Sequence, residues 1–380
     1  MRISLIILLP LLAVVFFSCA PEHIRESNVQ QNETQIIRVL LVKSSDTVRI
    51  SSPQHLRITE KETGRVMSNH ENGANVNFNP VRVNTSLFIE SNNANLSVNG
   101  AAYRGTIEIS NRSGTLYVIN EVSMRDYLMS VVPSEIVPSW HMEALKAQAV
   151  AARTFAMFHI SKGNRGIYDL YSTVSSQVYK GISVENPRTT QAVIETANVI
   201  LIYGSQPIEA FFHSTCGGRT IEPKYVWSSG DIPYFRSVEC NYCRDSNHYR
   251  WETTISLEQI RQALSARHSN IGRIQNITFK RKDGRVVSVI VRHANGTTNL
   301  TGNQFRMAVD PRTLKSLYFT STPQGNGLKF SGRGWGHGVG LCQWGARGQA
   351  ELGRTYEQIL RHYYPNTQLH STSMPRAGLF

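Results

Sequence analysis

Acidic residues are the scarce charge in this chain. Only 27 Asp and Glu stand against 40 Lys and Arg in 380 residues, a formal net charge of +13. A field of that sign attracts polyanions, whether nucleic acid, an anionic membrane or an acidic wall polymer. No fixed-period repeat and no low-complexity tract is visible, so a solenoid of stacked repeats is not expected. Runs of basic residues are also lacking. The one run, Lys280-Arg281-Lys282, leads into Asp283-Gly284, a hairpin turn between strands expected at Ile277–Lys280 and Val286–Val291, so no nucleic-acid partner is expected. After the first residues there is no long apolar stretch. Met1–Ser18 is one Arg and an almost unbroken apolar run, too short for a comfortable membrane span, and it reads as an export signal.

That run ends in Phe17-Ser18-Cys19, which suggests a lipoprotein cleavage site with Cys19 as the lipidated first residue. An uncleaved N-terminal anchor is the alternative, and either device puts the remainder outside the cytoplasm, facing periplasm or cell wall. Residues 20–35 are polar and fit a tether. The remaining length suits two ordinary domains. The expected class is α+β: a small β-rich domain over residues 36–120, then a mixed α/β core over 121–370 flanking a substrate groove, with a loose tail at 371–380. Strands are expected at Ile37–Val42, Thr47–Ile50, Val81–Val83, Leu96–Val98, Thr106–Ile109 and Thr115–Ile119.

The most informative stretch is Val131–Ile160, VVPSEIVPSWHMEALKAQAVAARTFAMFHI. Pro133 and Pro138 push Val132 and Val137 towards extended geometry, which predicts that Glu135 sits on a stiff connection. Ser123–Met129 should form a turn or two of helix before it. A long helix should follow it, with Ser139 as N-cap and Leu145, Ala149, Ala152 and Ala156 at helical spacing, until Gly163. Six alanines keep this helix slim enough to pack closely under something else. Glu135 has a bland reading, an acid favoured by a helix N-terminal dipole, and a sharper one, an acid kept protonated among apolar neighbours.

P-S-E at Pro133–Glu135 and E-A-L-K-A-Q-A-V-A-A-R-T-F-A at Glu143–Ala156 closely resemble the SpoIID/LytB family, which includes sporulation lytic transglycosylases that cut peptidoglycan glycan strands. The resemblance extends to an S-Q-x-Y segment holding Gln177 and Tyr179, and to G-H-G-V-G-x-x-Q-W-G-A at Gly336–Ala346. It implies that Glu135 is the catalytic acid, then base, of a transglycosylase that closes a 1,6-anhydro ring on N-acetylmuramic acid, acting on strands stripped of peptide by an amidase. A non-catalytic wall-binding or amidase-enhancing module is the rival. Gln177 and Tyr179 would contact sugar hydroxyls, or else form a buried structural pairing.

Apart from Cys19 the chain has four cysteines, Cys216, Cys240, Cys243 and Cys342. An exported protein can oxidise them to two disulfides. Cys240-x-x-Cys243 is instead half of a structural zinc site, and the resemblance, whose members are associated with a Cys/His zinc site, favours zinc. Cys342, His213 or His248 would supply the fourth ligand, and the metal would hold the groove walls together without taking part in chemistry. The last motif, Ser331–Ala346, has glycine at every second position from Gly332 to Gly340. As an extended strand its bare face would pack on the alanine-rich helix, leaving Arg333, Trp335 and His337 on the other. Arg333 would meet a carboxylate, Trp335 or Trp344 would stack on a sugar, and Gln343 joins them as a substrate contact. His337 is a proton relay or a satisfied structural histidine, with the second favoured.

Overall fold

The computed structural model describes residues 35–371 except 93, 164, 165, 228 and 269. The leader, Cys19, the tether and the tail from 372 onward lie outside the described residues. The chain has the expected α+β class. Strand Ile36–Ser44 alternates buried Ile37 and Val39 with outward residues and pairs antiparallel with Thr115–Ser123, Val39 facing Asn120. It belongs to a seven-stranded sheet in the order Leu170–Tyr171, Ile36–Ser44, Thr115–Ser123, Thr106–Arg112, Leu87–Glu90, Leu56–Glu60, Val66–His70. A four-stranded sheet, Ala74–Phe78, Val48–Ser52, Leu96–Val98, Ala101–Tyr103, completes the β-rich layer.

Val81–Val83 is not a strand. Pro80 cannot donate to a ladder, and the segment turns instead, with Val81 outside, Val83 plugged into the core and the Asn111 amide donating to the carbonyls of Pro80 and Val83.

No break falls at residue 120. Strand Thr115–Ser123 runs into helix α1 (Met124–Glu135), whose N-cap is Ser123, accepting the Asp126 N–H. Buried Tyr127, Leu128, Val131 and Val132 carry this helix through Pro133, which stands in its last turn. Glu135 is therefore the C-terminal residue of a helix and not part of an extended connection. Helix α2 (Met142–Lys162) begins later than Ser139 predicts: Trp140 N–H closes a turn on Val137 O, and the cap is His141, whose Nδ1 accepts the Glu143 N–H. It ends at Gly163 in the left-handed conformation, as expected. Its alanines are buried on nearly all sides, and α1, α3 (Pro187–Glu195) and the late helices Gln343–Glu351 and Tyr356–Tyr363 pack around it. One hydrophobic core thus runs from Ile37 in the first strand to Tyr364 near the end of the chain.

The sharper division lies elsewhere. Residues 251–330 have a separate core built on Val286, Val289, Phe305, Leu314 and Phe330. It is enclosed by the sheets Trp251–Ser256, Gly327–Gly332, Phe319–Gln324 and Ile274–Lys282, Arg285–His293, Gly296–Thr301. The hairpin about Asp283-Gly284 is where the sequence put it. After the short α4 (Lys224–Trp227), helices α5 (Leu257–Ser265) and α6 (Gly302–Val309) start at capping boxes on Ser256 and Thr301 and cover this core. The chain then returns to the first core through α7 (Gln343–Glu351) and α8 (Tyr356–Tyr363).

Candidate active site

From the C-terminal end of α1 the Glu135 carboxylate reaches the loop 172–180, where Oε1 accepts the Val178 N–H at 2.8 Å. No protein partner is found for Oε2 among the described residues. The loop leaves the edge strand Leu170–Tyr171, which runs parallel to Val39–Leu40, and is fixed on both sides of Val178. On one side the Gln177 amide accepts Tyr127 OH at 2.9 Å and donates to Ala152 O at 3.2 Å. On the other, Tyr179 OH donates to Asn120 Oδ1 at 2.7 Å, and Lys180 N–H donates to Ser130 Oγ at 3.2 Å. Gln177 and Tyr179 are both buried, so they form the structural pairing and offer nothing to a sugar. Their effect is to set the Val178 N–H against Glu135.

Burial pushes the Glu135 carboxyl above its ordinary range, while the Val178 N–H and the Lys180 charge pull part of the way back. The helix dipole works against ionisation here, because Glu135 stands at the negative end and not the positive one. The bland reading of Glu135 therefore fails on its sign.

Glu135 borders a groove of about 860 Å³ whose walls include the aromatic residues Phe155, Phe211, Phe212, Trp227 and Trp335. Phe155 lies inside the Glu143–Ala156 motif but was not singled out there, Trp227 stood in no motif, and Val178 contributes a backbone N–H that no side-chain motif reports. Phe211 and Phe212, just ahead of His213 and Cys216, were not singled out either. Among the described residues lining the groove Glu135 is the sole carboxylate.

The glycine motif is not an extended strand. Gly334, Gly336, Gly338 and Gly340 take φ between +69° and +108°, which breaks the two-residue alternation. The segment winds along residues 211–217, joined by the bridge Thr215–Trp335 and the parallel pair Phe212–His213 with Leu341–Cys342. Its glycines thus clear the backbone of that segment, and the Arg285 side chain, rather than α2. The side chains scatter accordingly. Trp335 lines the groove, edge-on to His248 with centroids 4.1 Å apart. His337 also lines it, but both nitrogens are committed: Nδ1 accepts the Val339 N–H and Nε2 donates to Phe212 O. Burial lowers its pKa to about 4, so it is the neutral structural histidine. Gln343 Nε2 donates to Glu135 O at 3.0 Å and to Gln148 Oε1 at 3.3 Å, holding the backbone of the acid. Trp344 is not among the groove-lining residues; it packs on Trp140 and under Arg347. Arg333 is exposed and lines a neighbouring cleft.

The four cysteines meet. Cys216, Cys240, Cys243 and Cys342 are buried, unbridged, and their Sγ atoms all lie within 4.8 Å of one another. Tetrahedral zinc with Zn–S near 2.3 Å needs sulfurs about 3.8 Å apart, and Cys216 and Cys243 already stand 3.6 Å apart. The donor set fits a thiolate-preferring ion. Cys216 and Gly345 donate their N–H to Cys342 Sγ at 3.2 and 3.3 Å, contacts suited to a thiolate. His213 and His248 are not in the cluster: His213 Nδ1 bonds Val339 O, and His248 lies against Trp335. Beside the sulfurs lies Arg285, almost wholly buried, its Nη2 donating to Cys216 O and Arg219 O.

Comparison with known proteins bears on this geometry. Residues 112–203, which hold Glu135, α2 and Val178, match the model of the Stage II sporulation protein family, and residues 235–340 match a domain of unknown function. An uncharacterized protein of Brachyspira hyodysenteriae is 33% identical over 345 residues, 87% of this chain and 91% of that protein. Stage II sporulation protein D of Bacillus subtilis is 32% identical over 267 residues, 66% of this chain and 75% of its own. The Amidase enhancer of Bacillus subtilis is 30% identical over 345 residues, 77% of this chain but 47% of that protein.

Proposed function

Because this chain belongs to the family of Stage II sporulation protein D, we propose that it is a lytic transglycosylase cutting the bond between N-acetylmuramic acid and N-acetylglucosamine in peptidoglycan. The observation that carries the reading is a groove with one carboxylate, desolvated and rigidly held. Hydrolysis by the common routes needs two carboxylates, one to protonate the leaving oxygen and one to attack or to activate water. Ring closure needs only one. Glu135 gives its proton to the bridging oxygen as the C1–O bond breaks, and becomes a carboxylate that the Val178 N–H supports. It then takes the proton of the same muramic acid's C6 hydroxyl, whose oxygen bonds to C1 and closes the 1,6-anhydro ring. Phe211, Phe212, Trp227 and Trp335 offer apolar faces to the sugars and help to exclude water. Strands already stripped of peptide suit so apolar a groove.

The wider setting follows from the sequence. The protein is exported and held to the membrane by a lipid on Cys19, and a cell-wall amidase supplies the stripped strands. The four thiols hold a zinc ion. With four protein ligands there is no open position for water, so the metal's part is structural: it ties residues 216, 240–243 and 342 together behind the groove.

A second reading is kept alive by the relative named an amidase enhancer: a glycan-binding module without turnover. Digestion of peptide-free glycan strands by the wild type and by Glu135→Gln, with mass spectrometry of the products, separates the two. The transglycosylase yields anhydro-ended fragments that Glu135→Gln does not. Equal products from both proteins would remove Glu135 from the chemistry, and products from neither would leave the binding module.

A further inference from the structure

The segment that presents Trp335 to the groove presents Arg333, two residues earlier, to a second concavity. This cleft of about 380 Å³ lies on the second core, between the start of strand Trp251–Ser256, the turn at Gly284 and the ring of Tyr318. Arg250, Arg281 and Arg333 line it, and its one acid, Glu252, is taken up by Lys329 Nζ and Ser331 Oγ, each at 2.9 Å. Among the described residues no carboxylate lies within ion-pair distance of those three arginines. Exposed arginines are more often a solvated face than a site. Here they surround an aromatic floor that the chain makes room for. A Cβ on Gly332 would stand 2.2 Å from the Trp251 indole, whose Nε1 donates to Gly334 O at 3.0 Å. Arg333 lies over Tyr318 at 5.8 Å, and Arg281 is fixed by donating Nε to Phe319 O at 3.2 Å.

We propose that this cleft binds a carboxylate-bearing sugar of the same glycan strand whose neighbouring units lie beside Glu135. The inference deepens the transglycosylase reading and rests on it for the strand's identity. Between Arg333 and Trp335 the chain spans at most about 7 Å, so one polymer can occupy both concavities. The chemistry selects the ligand. Peptide-free strands keep a lactyl carboxylate on every muramic acid, and the planar guanidinium fork matches a carboxylate through paired hydrogen bonds. Chitin oligomers have the same backbone without that carboxylate.

Titration calorimetry on Glu135→Gln protein, which removes turnover, compares peptide-free muramic strands with chitin oligomers of equal length. The muramic strands bind about tenfold tighter or more, the worth of one or two charge-assisted hydrogen bonds, and the gap narrows as salt rises. Adding Arg250→Gln and Arg333→Gln closes most of the gap and leaves chitin affinity unchanged. Both arginines are exposed, so the fold survives, and circular dichroism verifies it. Equal affinity for the two polymers, or a gap that persists in the arginine variant, would overturn the assignment. So would tighter binding of poly(glycerol phosphate) than of muramic strands, which would give the cleft to a phosphodiester polymer. The two readings fail separately. Carboxylate preference in a protein that makes no anhydro product upholds the cleft and sinks the chemistry of Glu135. Anhydro products without that preference do the reverse.

Discussion

The Val178 N–H and Glu135 Oε1, 2.8 Å apart, join a loop to a helix 43 residues away in the chain. That bond is set by the Gln177 amide, which lies between Tyr127 OH and Ala152 O. Gln177→Leu removes both anchors and leaves the buried tyrosine hydroxyl without an acceptor, at a stability cost of about 1–3 kcal/mol. The larger effect is on chemistry: kcat should fall roughly tenfold to a hundredfold with little change in KM, as expected when a reacting group is displaced by a fraction of an ångström to an ångström. Losing the Val178 bond also raises the Glu135 pKa further, because that bond lowers it. The alkaline limb of the kcat profile, where Glu135 loses the proton it must donate, should therefore move to higher pH. An unchanged profile would show that the loop does not act through Glu135.

Glu135 should cost the protein stability where it is ionised. Its pKa in the folded state is raised, chiefly by burial, so the native state holds the proton more tightly than the unfolded chain does. The contribution is fully present below the unfolded pKa of about 4.3 and is lost as pH rises through the folded value. Glu135→Gln keeps an acceptor for Val178 and carries no charge. Thermal melts should place the variant above the wild type at pH 7, with the difference vanishing below pH ~4, where both carry a neutral group. A variant that melts lower at pH 7 would mean that the carboxylate is stabilised by its surroundings.

Particular residues show what the sequence can and cannot tell. The alanines of α2, its stop at Gly163 and the hairpin at Asp283-Gly284 were legible because each is fixed by neighbours within a few residues. Glu135 was legible as a motif, yet its place at a helix C-terminus was hidden, since Pro133 argues locally for extended chain and only burial of Tyr127, Val131 and Val132 overrules it. The glycine run misled for a related reason. Period-two spacing suggests a strand, but at positive φ the same spacing allows a coil that hugs residues 211–217. The second core at 251–330 went unseen because its strands alternate like those before them, and nothing local says which core a strand joins.

Arg285 tests the metal. It is buried with no carboxylate in ion-pair reach among the described residues; burial lowers its pKa, and negative charge on the sulfurs of Cys216, Cys342 and Cys243 would raise it. A zinc ion held by four thiolates carries two net negative charges, one of which a neighbouring guanidinium offsets. Arg285→Met should weaken zinc retention against a chelator about tenfold to a hundredfold, as changes beside metal ligands do. Stripping the metal from the wild type should lower its melting temperature. Metal analysis finding two disulfides and no zinc would dismiss the site.

Gly340 and Gly353 share a left-handed backbone, with φ of +69° and +80°, and differ only in what surrounds them. An added Cβ meets nothing within 4 Å at Gly353, but at Gly340 it would stand 2.0 Å from Phe211 O. That carbonyl already accepts Leu341 N–H at 3.0 Å and Tyr364 OH at 2.6 Å, so it cannot retreat without breaking both bonds and shifting Phe211 in the groove wall. Gly353→Ala should therefore cost only the backbone strain, about 1–2 kcal/mol. Gly340→Ala adds a backbone collision to that strain and should exceed it by about 1–3 kcal/mol, the range of core overpacking. Denaturant melts of the two variants measure the difference directly. Equal losses would mean that the contact between residue 340 and Phe211 gives way at no cost, and that the glycines of this motif serve only their own φ angles.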